Sequence, residues 1–172
     1  SIGADGVDAF AGLNGGTASA AGVSLNDVEL ALALMTDRAD TSRKWVALEA
    51  SAASVGFGGI TGLSVQSSDL NVSINQAAGD GSVINFAARP LAVHTATGRA
   101  KSLSMSGAAG QLFRASGTLA VSLFYFIHFS GSLALEKSTV AIVLSDASEV
   151  MADRLAIGGT GLEGFIGLNG SS

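Results

Sequence analysis

Residues 70–76 read Leu70-Asn71-Val72-Ser73-Ile74-Asn75-Gln76, and this alternation decides the fold class. Every second side chain is apolar, so one face of an extended strand is greasy and the other polar. The pattern spreads in both directions. Val46, Leu48, Ala50 and Ala52 alternate with Ala47, Glu49 and Ser51. Leu133 and Leu135, then Val140, Ile142 and Leu144, continue it. Residues 25–35 carry a competing helical signal, with Ser24 as N-cap and Asp27 three positions on. Leu30, Leu32 and Leu34 nevertheless alternate with Ala31, Ala33 and Met35, which favours a strand. Leu119, Val121, Leu123, Tyr125, Ile127 and Phe129 predict one long strand. Phe124 and Phe126 on its other side predict burial on both faces. The class expected is all-β, as an elongated repeat architecture with a solenoid-like or rolled β-sheet; a β-sandwich is the alternative.

Glycine marks the turns. Asn14-Gly15 and Asn169-Gly170 signal tight turns, because both residue types accept positive φ. Gly56 to Gly62 and Gly79-Asp80-Gly81 interrupt the alternation, and the single proline, Pro90, is placed at a strand end.

The two ends of the chain carry one motif. Residues 2–15 contain Ile2, Gly3, Gly6, Phe10, Gly12, Leu13, Asn14 and Gly15. Residues 157–170 contain Ile157, Gly158, Gly161, Phe165, Gly167, Leu168, Asn169 and Gly170. All eight pairs align without a gap at the offset of 155 that separates Phe10 from Phe165. The organisation this predicts is a repeat unit over residues 1–155 and the start of the next unit over 156–172. Phe10 and Phe165 should then be core residues of equivalent strands.

Composition narrows the function classes. Charged residues are 13% of the chain, against about 25% in an ordinary soluble domain, while hydrophobic residues reach 48%. So few charges suit a surface partly covered by neighbours in an assembly. The net charge of −5 argues against nucleic acid as a partner. The longest apolar runs fall far short of the ~18–20 residues of a spanning helix, so no membrane span is expected. Cysteine is absent, which removes disulfides and thiolate metal sites.

The segments Val28–Asp37, Trp45–Ser54, Leu70–Gln76 and Leu112–Lys137 resemble tandem repeats of very large bacterial surface or secreted, adhesin-like proteins. The resemblance implies an extracellular or cell-surface scaffold and supplies no binding residues.

Catalytic chemistry finds little to build on. No serine lies in Gly-x-Ser-x-Gly, and no phosphate-binding loop occurs. His94 and His128 read as structural, and their separation matches no metal-ligand spacing. Gly3 to Phe10 and Gly158 to Phe165 approximate a calcium-binding glycine-aspartate motif, which makes Asp5, Asp8 and Glu163 the calcium candidates. That motif works through consecutive copies, so a shared turn at a repeat boundary accounts for both stretches better, and no cofactor is expected. Asn71 and Asn169 head Asn-x-Ser sequons and are the glycosylation candidates. The expected function is a structural repeat unit of an extracellular fibre, sheath or giant surface protein. It would assemble with neighbouring copies through β pairing and apolar packing, without being an enzyme. The alternative is an adhesin module that binds a glycan or a host surface, for which Trp45 and Tyr125 are the only Trp and Tyr.

Overall fold

The computed structural model describes residues 1–95, 98–124 and 126–167. Asn169, Gly170 and Tyr125 lie outside the described residues.

The chain is all-β, and no α-helix occurs among the described residues. Seven long strands run up and down in one antiparallel sheet. They are β1 (Ile2–Leu13), β2 (Ala21–Thr36), β3 (Lys44–Gly58), β4 (Leu63–Gln76), β7 (Leu112–Leu123), β8 (Ile127–Val143) and β9 (Glu149–Ile166). Their order across the sheet follows the chain, and the sheet is open rather than closed into a barrel. Residues 77–111 join β4 to β7 and fold back over one face. This connection contains the hairpin β5 (Leu91–His94) and β6 (Ala100–Leu103) and a short 3-10 turn at Gly107–Ala109.

Register explains which face the connection covers. Directly opposed residues share a face. One row runs Ala33, Ala47, Asn75, Leu112, Ser138 and Arg154 across six strands. The first five are buried under the connection. Small side chains at Ala31, Ala33 and Ala47 let Phe86, Val93, Leu103 and Met105 lie close against the strands, and these residues form the core. Polar anchors fix the hairpin on the sheet. Lys101 Nζ donates to Glu29 Oε2 at 3.1 Å and to Ser51 Oγ at 2.8 Å. Ser104 donates its N–H to Glu49 Oε1 at 2.9 Å. Asn75 is fully buried and donates its amide to the Ile84 carbonyl at 2.8 Å.

Three connections at one end of the sheet share a local device. Asp40, Asp80 and Asp146 each accept from the hydroxyl of the serine two residues on, at 2.6 Å. Each also accepts from that serine's N–H at 3.0 Å. The hydroxyl bond, then the N–H bond, holds all three carboxyls below the usual aspartate range. Such side-chain turns stop a strand and return the chain.

Residues 25–35 form part of β2, as their alternation predicts. Two other expectations are corrected. Residues 119–129 are not one strand. The chain turns sharply between Leu123 and Ile127, with Phe124 at φ +50° and the Phe126 N–H donating to the Leu123 carbonyl at 3.0 Å. Phe124 and Phe126 are exposed on this turn instead of buried. The turn is apolar because Phe124 lies over Gly62 of the neighbouring connection: a Cβ added there would sit 2.2 Å from the ring. Asn14-Gly15 is likewise not a two-residue turn. Asn14 (φ +55°) and Gly16 (φ +79°) take the left-handed positions of a longer loop that reaches to β2. The Asn14 side chain reaches across that loop to the Ser19 carbonyl.

Candidate functional site

Among the described residues no element covers the face turned away from the connection. One row reads Ile2, Leu32, Leu48, Ile74, Phe113, Lys137 and Leu155. The next reads Ala4, Leu30, Ala50, Val72, Ala115, Leu135 and Ile157. Lys137 is the one charge among these fourteen positions. Seven strands about 4.8 Å apart make this apolar band roughly 30 Å wide. Ile2, Leu34, Phe113, Leu155 and Ile157 are exposed on it, Ile157 at 70%. Apolar surface this continuous marks a contact site.

Two open edges flank that face. β1 offers 12 residues and β9 offers 18, and neither contains proline or lysine. Edge strands are normally blunted by those residues or kept short.

The terminal motifs occupy these two edges and share a local geometry. Gly6 has φ +62° and Gly161 φ +58°. Each sits where the ladder slips register, between Ala4 and Val7 in β1 and between Thr160 and Glu163 in β9. The ring of Phe10 lies over Gly12, and the ring of Phe165 lies over Gly167: a Cβ on either glycine would fall 2.9 or 3.0 Å from the ring tip. Phe10 and Phe165 are 41% and 39% exposed, so the expectation that both are core residues is corrected. They screen a glycine backbone from one side and remain open on the other. Phe165→Ala is therefore expected to cost about 1–2 kcal/mol in a denaturant titration, below the ~3–5 kcal/mol of a buried phenylalanine.

The other candidates are scattered. Asp5 and Asp8 lie on β1 and Glu163 on β9, at opposite edges of the sheet. Asp5 faces Arg99 at 3.4 Å, and Asp8 Oδ1 accepts the Asp27 N–H at 2.9 Å. No group of three metal-capable side chains occurs among the described residues. Asn71 is exposed on β4, with its amide donated to the Asp69 carbonyl at 2.7 Å. His94 ends β5 and His128 lies in β8. Trp45 is engaged: its Nε1 donates to the Ser82 carbonyl at 3.0 Å, and the Arg43 guanidinium stands 5.2 Å from its ring centre. A Cβ on Gly15 would fall 2.8 Å from the Phe10 ring.

An open trough of about 430 Å³ crosses the middle strands, lined by Ser24, Asn26, Ser54, Gln66, Ser68 and Thr118 among others. It contains no titratable side chain to drive chemistry. An ionic fork spans three adjacent strands. Glu136 of β8 accepts from Arg114 Nε and Nη2 of β7 at 2.9 and 2.6 Å and from Arg154 of β9. The Arg114 bond, more than those of Ser138 and Arg154, holds the Glu136 carboxyl below the usual glutamate range. A depressed folded-state value stabilises the fold above the unfolded pKa, and that stability is lost as pH falls through the folded one. The urea midpoint should therefore drop between pH ~6 and ~3, and Glu136→Gln should flatten that part of the profile.

No protein-family model, curated protein or solved structure matches the chain. Sequence reasoning missed the connection over residues 77–111 as a lid on one face. The run of alanines at 31, 33 and 47 was its only trace.

Proposed function

We propose that the chain is a structural repeat unit of an extracellular fibre, sheath or giant surface protein, assembled through strand pairing and apolar packing between copies. The observation that carries this reading is the uncovered apolar face bounded by two long open edges that bear the same motif. A core on one side only leaves the other side of the sheet in water, which costs about 25 cal/mol for every Å² of apolar surface left exposed. Covering that face with further copies recovers this free energy. Extracellular placement rests on the resemblance of four segments to repeats of large bacterial surface proteins. A glycan-binding role has less support, because Trp45 is already bonded to Ser82 and stacked by Arg43.

Sedimentation equilibrium of the 172-residue chain, with an apolar-surface dye as second readout, tests the proposal. Concentration-dependent association and strong dye binding are expected. A well-folded, strictly monomeric chain that binds no dye overturns it.

A further inference from the structure

We propose that β9 is a shared strand: its open edge seats β2 of a second copy of the unit, in the register that β1 holds on β2. This rests on the repeat-unit reading above and adds the partner, the edge and the register.

Four observations converge. First, the strands from β1 to β8 in the main sheet are six, an even number, so antiparallel pairing makes β9 run in the same direction as β1. A second copy can therefore take β9 as its own first strand without reversing. Second, the equivalent motifs use opposite edges. Ile2 pairs with Leu32 on β2, whereas Ile157 pairs with Leu135 on β8. Each motif thus shows one of the two neighbours that an interior strand has. Third, glycines 6 and 161 are both left-handed, and each stands where its strand slips register, although β1 slips back between Val7 and Ala9 and β9 does not. The carboxylate of Asp8, which accepts the Asp27 N–H, has its counterpart in Glu163.

The fourth observation concerns Gly3 and Gly158. The hairpin runs so close over β1 that a Cβ on Gly3 would sit 2.5 Å from the His94 carbonyl oxygen. Gly158 stands at the equivalent position, yet nothing lies within 4 Å of where its Cβ would be. Its φ is also outside the left-handed range. Among the described residues nothing requires a glycine at 158. A second copy seated on β9 supplies the requirement, because its β5 would cross Gly158 as β5 here crosses Gly3.

The test uses a two-unit chain, residues 1–172 followed directly by a second copy of residues 18–172, since position 172 is equivalent to position 17 at the offset of 155. The chain has no cysteine, so engineered pairs report cleanly. Ile157→Cys with Leu32→Cys in the second copy should oxidise to a disulfide at least about tenfold faster than Ile157→Cys with Leu30→Cys in the second copy, because cross-strand partners meet the Cα spacing of about 5.5 Å and a two-residue slip does not. Ile157→Cys with Leu135→Cys in the first copy checks that β9 is on β8. If that third pair forms and the first shows no preference over the second, the shared strand is refuted, while the assembly reading still stands or falls on sedimentation. Gly158→Val adds a second readout. It should leave the melting temperature of the 172-residue chain unchanged and slow the 157–32 crosslink in the two-unit chain; equal crosslinking with and without the valine removes the seat for β5.

Discussion

Phe86→Ala is expected to cost about 3–5 kcal/mol of unfolding free energy. Phe86 is 2% exposed and is the largest side chain in the core, enclosed by Val93, Leu103 and Met105 above the alanines of β2 and β3. The sheet beneath it cannot rise to fill the gap, because seven paired strands hold it. The loss then includes both the transfer of the ring and the cavity left behind. Urea titration followed by tryptophan fluorescence measures it, since Trp45 is bonded to Ser82 in the same connection. A loss below about 1 kcal/mol would mean that residues 77–111 contribute little to the fold.

Gly3→Val should be the next most damaging change, at about 1–3 kcal/mol or more. The clash is with backbone, the His94 carbonyl oxygen at 2.5 Å, so no side-chain rotation relieves it. Either β1 peels away or the hairpin lifts and strains the Lys101 bonds to Glu29 and Ser51. Hydrogen exchange should show lost protection in β5 and β6 while β7 and β8 stay protected. A valine tolerated at position 3 with unchanged exchange would contradict the close packing of the hairpin on β1.

Strand positions were legible because alternation is a direct consequence of the pleat. β2 and β4 follow the pattern of Leu30, Leu32, Leu34 and of Leu70, Val72, Ile74. The same rule misread residues 119–129. Four aromatic residues there look like buried strand, but Phe124 takes a left-handed turn position with its ring on Gly62. That contact joins two connections far apart in sequence, and no local pattern encodes it. Alternation also assigned Phe10 and Phe165 to a core. It identifies a face but not what covers it, and the face coverage here comes from residues 77–111 on one side only. The edges were legible in part. The recurrence at an offset of 155 drew attention to the two terminal motifs, but only the ladder places them at opposite ends of one sheet and in the same direction. The contrast between Gly3 and Gly158 needed coordinates, since both are simply glycine in the sequence.

Amide hydrogen exchange along β9 tests the central claim most directly, because it reads whether that edge becomes interior. In the 172-residue chain, the β9 amides that do not bond to β8 face solvent and should exchange quickly. In the two-unit chain, the alternate amides of residues 157–166 should slow by at least about a hundredfold as β2 of the second copy pairs with them. Unchanged fast exchange in the two-unit chain, with β8 still protected, would show that the sheet ends at β9 and that the copies do not join through it.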